Sequence, residues 1–342
     1  MPSAEAQQVR AVFAMDPVHL PRLFPPRLME RLRRTADADP GVVVRDPSRV
    51  GDPAVAERLA HAEVLITGWG CPHLGAGTLT AAPRLRAVLH AAGSVRALVG
   101  AELWDRGIAV STAAAANALP VAEYTLGMIL LAGKDAFALR ERYRATRSPL
   151  SPAETAGVGN HGRRIGVIGA SRVGRRLLEL LRPFDFEVLL HDPYVDDAEA
   201  AALGAEPLAL EELLRRSDIV TLHAPDLPGT RRLLDGPRLA LIRDGGVLIN
   251  TSRGALVDHD ALTRELVSGR LRAVLDVTEP EPPPAGSPLL TLPNVFLTPH
   301  IAGSLGNELE RLGLTVAEEL ERLAAGLPPA HLVRRADLTR VA

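Results

Sequence analysis

Three short stretches carry the residues best suited to holding an anion and moving a proton. They are "NTSRG" with Arg253, "LDVTEPEPP" with Asp276, Glu279 and Glu281, and "LTPHIAG" with His300. A guanidinium offers a planar fork of donors to carboxylate or carbonyl oxygens. An imidazole exchanges protons near neutral pH, and a neighbouring carboxylate orients it and favours its charged form. Each residue alone has a plainer reading: the arginine in a surface pair, the glutamates as solvated loop residues, the histidine as structural. The three stretches gain meaning together because each follows a β-rich run, and an open α/β sheet presents its chemistry where strands end.

A fourth stretch, "AGVGNHGRRIGVIGASRVGRRLLELL", holds a complete G-x-G-x-x-G at Gly157, Gly159 and Gly162 and an incomplete copy at Gly169, Ser171 and Gly174. A pyrophosphate site needs a strand, a tight glycine turn, and a helix whose free N–H groups face the anion. The complete copy leads into a strand, so it reads as a connecting turn. The incomplete copy follows the strand "RRIGVIG" and opens the helix "RVGRRLLELLRPF", and Asp192 closes the next strand, 23 residues beyond Gly169. A carboxylate there accepts hydrogen bonds from the adenosine ribose and repels a 2′-phosphate, favouring NAD over NADP. Ser171 is the departure, a small residue that can itself donate a hydrogen bond. Arg172 beside it brings positive charge.

The elements that must position these residues alternate from strand to helix almost throughout, the pattern of parallel sheets with crossover helices. The runs "VRAVFAM", "GVVVR", "AEVLITG", "LRAVLHA" and "IAVST" predict five strands in the first series. A long apolar helix is predicted from Asn117 to about Leu139, with Pro120 in its first turn. An extended connection, "RATRSPLSPAETAGVGNHGRR", precedes the second series. The closing segment places Leu309, Leu312, Val316, Leu320 and Leu323 at helical spacing, and this helix is expected to return to the first lobe. The fold class is therefore α/β, with two Rossmann-like or flavodoxin-like open parallel-sheet domains and a cleft between them. Residues 1–112 plus 304–342 form the expected substrate-binding domain and 113–303 the nucleotide-binding one; a chain of 342 residues holds about two domains of ~150.

Composition narrows the partners. With 39 basic and 41 acidic residues the net charge is −2, which offers no footprint for nucleic acid or an anionic membrane. Cys71 is the single cysteine, so a disulfide framework and a cysteine metal site are excluded, and a reducing compartment is expected. No H-x-x-x-H or H-E-x-x-H pair points to a metal. The first fifteen residues lack a basic region followed by an apolar run, and no stretch reaches eighteen uninterrupted apolar residues, so a cytoplasmic, non-membrane protein is expected.

In order and spacing, "PVAEYTLGMIL", "IGVIGASRVGR", "LHAPDLPGTRRLL", "INTSRGALVDHDAL", "LDVTEPEP" and "PNVFLTPHIAG" resemble the D-isomer-specific 2-hydroxyacid dehydrogenase family. That family includes phosphoglycerate, glyoxylate/hydroxypyruvate and D-lactate dehydrogenases. The resemblance implies an NAD-dependent oxidoreductase acting on a small 2-keto or 2-hydroxy acid, with a catalytic triad of Arg253, Glu281 and His300. It implies cofactor contacts from Gly169, Ser171, Arg172, Val173, Gly174, Asp192, His223, Ala224, Pro225, Thr251 and Asp276, the last anchoring the nicotinamide carboxamide. Substrate contacts would come from Gly93, Ser94, Val95, Trp69 and Asn117, and the long helix with its following arm implies a homodimer. The first lobe departs from the family pattern: "HAAGSVRALV" places Arg96 and Ala97 where Asp-Asn is usual, and Ala113 to Ala116 replace a common Thr-Pro-Gly turn.

Two other readings stay open. The β-hydroxyacid dehydrogenases rely on a catalytic lysine, and the one lysine here, Lys134, is poorly placed after "LGMILLAG". NAD-binding regulators similar to the C-terminal-binding corepressors share the same framework and use NADH as a conformational ligand.

Overall fold

A computed structural model describes residues 8–339. The strands in chain order are β1 (Val9–Ala14), β2 (Ala36–Val44), β3 (Val64–Thr67), β4 (Ala87–His90), β5 (Ala109–Thr112), β6 (Arg164–Ile168), β7 (Glu187–His191), β8 (Glu206–Pro207), β9 (Ile219–Leu222), β10 (Val247–Asn250), β11 (Arg272–Leu275), β12 (Val295–Leu297) and β13 (Leu332–Val333). They build two compact units: the residues up to Asn117 with those from Ser304 onward, and Ala118–Gly303.

In the first unit the order is β2-β1-β3-β4-β5-β13; the first five strands run parallel and β13 pairs antiparallel with β5. In the second unit seven strands run in the order β8-β7-β6-β9-β10-β11-β12, all parallel. Central strands such as "VLIT", "AVLH", "IVTL" and "VLIN" are buried along their whole length, as expected where helices cover both faces of a sheet. In each sheet the strand order reverses once, between β1 and β3 and between β6 and β9. Loops leaving the carboxyl ends of strands at such a reversal are where open α/β sheets bind ligands.

The long helix differs from expectation. It spans Ala114–Gly133, so Pro120 lies in its second turn, where it has no N–H to give the carbonyl of Ala116. It stops at Gly133, and a second helix, Ala136–Thr146, begins after Asp135 in the left-handed region at φ 49°. The glycines of the complete motif explain the break. Gly159 N donates to Gly133 O at 2.8 Å and Asn160 Nδ2 donates to Leu130 O at 3.1 Å, so this loop satisfies the last carbonyls of the helix. A Cβ on Gly133 would lie 1.9 Å from Asn160 Oδ1, so the loop can approach only a glycine. By length and composition Ala114–Gly133 could also cross a membrane, a property it shares with soluble core helices; Ala122, Ile129 and Ala132 bury in the core of the second unit.

Other differences are local. β2 begins at Ala36, five residues before the predicted run, and its register against β1 shifts between Ala11 and Phe13. The helices Ala76–Ala81, Ala101–Asp105 and Asp197–Leu203 have too few turns to show periodicity in the sequence.

The closing helix, Leu309–Ala324, sets Leu309, Leu312, Val316, Leu320 and Leu323 into the core of the first unit beside Leu23, Leu28 and Leu32. Beyond it, the buried carboxylate of Glu319 accepts from the backbone N–H groups of Ala330 and His331, both at 2.8 Å, and turns the chain into β13. Gly313 lets the helix approach the backbone of the short helix Leu20–Leu23, since a Cβ there would fall 1.9 Å from Leu23 O. Gly313→Ala is expected to destabilise the first unit by about 1–3 kcal/mol through overpacking. Urea unfolding checks this, and an unchanged midpoint would show that the helix does not dock as described.

Candidate functional site

At the strand-order reversal of the second unit, β6 ends in Gly169 with φ 98°. A Cβ at Gly169 would meet Ala224 N at 2.6 Å, and one at Gly174 would meet Gly169 O at 2.0 Å, so both positions require glycine for the loop to close on the end of β9. Ser171 is the N-cap of the helix Arg172–Leu181: its Oγ accepts from Gly174 N at 3.4 Å, which leaves the hydroxyl proton free to donate. Among the described residues the N–H groups of Arg172 and Val173 have no acceptor. Arg172 is exposed, while Val173 packs partly into the core. This cap fits an anion at the helix N-terminus.

Asp192 stands beside that loop at the end of β7, with Oδ2 accepting from Ala170 N at 2.7 Å and Oδ1 from Tyr194 N at 2.8 Å. Each oxygen keeps a further acceptor position. From β9, His223 is buried with Nε2 2.9 Å from Thr221 Oγ1; Ala224 O accepts from Ser252 Oγ at 2.9 Å, and Pro225 O from Thr230 Oγ1 at 2.5 Å. The complete glycine motif lies before β6, with φ of 76°, 142° and 65° at Gly157, Gly159 and Gly162, and no helix follows it.

The ends of β10, β11 and β12 bring the proton-transfer candidates together. Asp276, 1% exposed, follows β11 and clasps the loop after β12. Its Oδ1 accepts from Thr298 Oγ1 at 2.6 Å and Ile301 N at 2.8 Å, and its Oδ2 from Ala302 N at 2.9 Å. Its backbone oxygen accepts from His300 N at 3.0 Å. Held on both sides, His300 adopts a left-handed backbone, φ 55°, a conformation that a non-glycine residue keeps only when its surroundings impose it. Its Nδ1 lies 2.7 Å from Glu281 Oε1. Glu279 is turned elsewhere: Arg231 Nη2 donates to its Oε1 at 2.6 Å.

Arg253 follows β10, exposed, with its carbonyl held by Asn250 Nδ2 at 2.9 Å and its own Nη1 donating to Ser252 O at 2.7 Å. The next residue, Gly254, lies flat against the end of β11, where a Cβ would be 2.1 Å from Thr278 C. Thr251, 7% exposed, packs beneath this loop. The spacing of glutamates and histidine was legible in the sequence; the part of Thr298 in the Asp276 clasp was not, because hydroxyl partners leave no pattern.

In the first unit, among the described residues, the N–H groups of Gly93, Ser94 and Val95 after β4 have no acceptor. Ser94 Oγ accepts from Arg96 N at 3.3 Å, a local turn that replaces the usual Asp-Asn support. Asn117 lies behind this loop: its Oδ1 accepts from Ser304 N at 3.0 Å, and its Nδ2 would be 3.8 Å from a Cβ on Gly93. Trp69, 37% exposed after β3, has its ring centroid 5.4 Å from that of His19. Cys71 is burdened by burial, which pushes its thiol up to about 12. Among the described residues no group of three or more histidine, cysteine or acidic side chains could hold a metal.

A parallel sheet with a glycine loop and a capped helix at its strand-order reversal defines a dinucleotide-binding α/β protein. Comparison with known proteins makes that class specific. Residues 126–302 match the NAD binding domain of the D-isomer specific 2-hydroxyacid dehydrogenases, and the chain belongs to that family. Glyoxylate reductase of Aeropyrum pernix is 34% identical over 269 residues, 75% of this chain and 78% of that protein. D-3-phosphoglycerate dehydrogenase of Methanocaldococcus jannaschii is 32% identical over 275 residues, 79% of this chain and 51% of that protein, so the chain spans about half the length of the phosphoglycerate dehydrogenases it matches. Among solved structures, a phosphoglycerate oxidoreductase from Rhizobium etli aligns with a TM-score of 0.82 at 26% identity, covering 96% of this chain and 99% of that one.

Two buried histidines lie beneath these loops, His90 at the end of β4 and His223 after β9. Burial lowers them from 6.5 to about 4 and about 3. Between these values and 6.5 the unfolded chain binds protons that the folded chain refuses, so the stability each contributes is full above about pH 6.5 and falls as the pH drops toward about 4 for His90 and about 3 for His223. His90→Gln is expected to flatten the loss of stability over that window, measured by urea unfolding from pH 7 to 4.5. An unchanged slope would mean that His90 is protonated in the fold.

Proposed function

We propose that the chain is an NAD-dependent oxidoreductase interconverting a D-2-hydroxy acid and its 2-keto acid. The observation that carries this is the 2.7 Å contact of Glu281, after β11, with His300 Nδ1 on the held loop after β12, beside the end of β10 that bears Arg253. In the reduction direction the fork of Arg253 binds the substrate's carboxylate and keto oxygen. His300 gives its Nε2 proton to that oxygen, and Glu281 holds Nδ1 and stabilises the charged ring. NADH, when bound, supplies the hydride that reaches C2. In the oxidation direction His300 takes the hydroxyl proton instead.

Gly169, Ser171, Arg172, Val173 and Gly174 are the proposed pyrophosphate cradle, with the unpartnered N–H groups at Arg172 and Val173 as its donors. Asp192 takes the ribose hydroxyls and disfavours NADP. His223, Ala224, Pro225 and Thr251 line the nicotinamide side, and Asp276 reaches the carboxamide with its one unused Oδ2 position. In the first unit the free amides of Gly93, Ser94 and Val95 are a receptor for carboxylate, backed by Asn117, and Trp69 with His19 forms an aromatic wall suited to a substituent beyond C2. Small and sugar-derived 2-keto acids are the proposed substrate class. The named relatives are dehydrogenases and reductases, which favours turnover over a purely regulatory role.

The protein is further proposed to work as a cytoplasmic homodimer without nucleic-acid or membrane partners. Exposed Leu131, Tyr143 and Leu150, on and just beyond the two central helices, support a self-association surface. NADH oxidation with a panel of 2-keto acids tests the activity: turnover of at least one is expected, and NADH binding without turnover would favour the regulator. His300→Ala is expected to lower kcat by about 10²–10⁴-fold with NADH affinity retained. Lost affinity with kept turnover would remove His300 from proton transfer. Asp192→Ala should erode the preference for NADH over NADPH in kcat/KM, and an unchanged ratio would take Asp192 away from the ribose.

A further inference from the structure

Two adjacent residues of the helix Ala114–Gly133 reach the loops that carry His300 and Arg253. Tyr124 Oη is 2.8 Å from Thr298 Oγ1, and Thr125 Oγ1 is 2.9 Å from Thr251 Oγ1. The direction of each bond follows from counting protons. Thr298 has one hydroxyl proton, and it goes to Asp276 Oδ1 at 2.6 Å, so Tyr124 must be the donor to Thr298. Thr125 gives its proton to Val121 O at 2.7 Å within the helix, so Thr251 must donate to Thr125. Burial raises the Tyr124 phenol above its ordinary range, which keeps the proton in place.

We infer that Tyr124 and Thr125 are positioning residues that register the His300 and Arg253 loops on one helical turn; this rests on the reading of those two residues as the reacting pair. On the Tyr124 side the chain is continuous: phenol to Thr298, Thr298 to the buried carboxylate of Asp276, and that carboxylate to the backbone on the far side of His300. On the Thr125 side, Thr251 stands two residues before Arg253 at the end of β10 and is buried, as is Thr125. Consecutive residues on a helix point about 100° apart, which allows one turn to serve two loops that leave strands on either side of β11. The bond directions make the side chains non-interchangeable. Phenylalanine at 124 removes the donor, and valine at 125 removes the acceptor while leaving a buried hydroxyl unpaired.

The test uses the full chain with Tyr124→Phe, Thr125→Val and Thr125→Ser. With NADH and the best 2-keto acid, Tyr124→Phe and Thr125→Val are each expected to lower kcat about three- to tenfold, the size of one lost hydrogen bond, a larger change than in KM for NADH. Thr125→Ser, which keeps the hydroxyl, should return kcat to near the original value. Full kcat in the first two variants, a change confined to KM, or a Thr125→Ser variant as slow as Thr125→Val would overturn the inference. A second readout needs no turnover: in protein labelled with ¹⁵N-histidine, the His300 ring signals, assigned by their loss in His300→Gln, should move in Tyr124→Phe. Unmoved signals overturn the inference. If no 2-keto acid is reduced by the unaltered protein, the dehydrogenase reading fails and the ring signals alone decide the role of Tyr124. Should Thr125→Val fail to fold, Tyr124→Phe decides in the same way.

Discussion

The second unit's chemistry depends on one buried carboxylate. Asp276 has no ion-pair partner among the described residues and is nearly inaccessible, a costly position unless every lone pair facing the protein is used. It is made tolerable by the Thr298 hydroxyl and the Ile301 and Ala302 amides, and those bonds are the ones that pull the loop after β12 onto the end of β11. The left-handed backbone at His300 is the consequence, since the chain is gripped at Thr298 before it and at Ile301 and Ala302 after it. The imidazole then projects from a fixed point, and Glu281, arriving on the proline-rich loop from the same strand, needs only to meet one ring nitrogen.

A second constraint is the close approach of backbones at glycines. Gly169 and Gly174 let β6 and the following helix meet the end of β9, and Gly254 lets the Arg253 loop lie against the end of β11. These contacts set the strand ends at the spacing the sheet dictates, so side chains from separate loops of the second unit can act on one small molecule. Ser171 does not spoil the pyrophosphate loop, because its side chain turns inward as the helix cap and the backbone N–H groups of Arg172 and Val173 remain free. The complete glycine motif upstream has its amide and its asparagine committed to the end of the long helix, the opposite of what an anion site needs.

The parallel sheets and the strand ends bearing Arg253, Glu281 and His300 were legible in the sequence because apolar runs and glycine turns have local signatures. The choice of Glu281 over Glu279 came from the family resemblance, and the geometry supplies a physical distinction, since Arg231 holds Glu279. What was not legible depends on distant partners. The break at Gly133 comes from a loop more than twenty residues later. The hydroxyls of Tyr124, Thr125 and Thr298 act through single hydrogen bonds that no periodicity reports. Short helices and the two-residue strands β8 and β13 exist because of the sheet they join, not because of their own propensities.

The proposed reaction passes hydride to one face of C2 while His300 protonates the adjoining oxygen. Its most direct test is a single turnover with NADH carrying deuterium at the transferred position, followed by mass and chiral analysis of the hydroxy acid. The expected product is a D-2-hydroxy acid with deuterium retained at C2. An L product, or a D product with C2 hydrogen drawn from solvent, would contradict it.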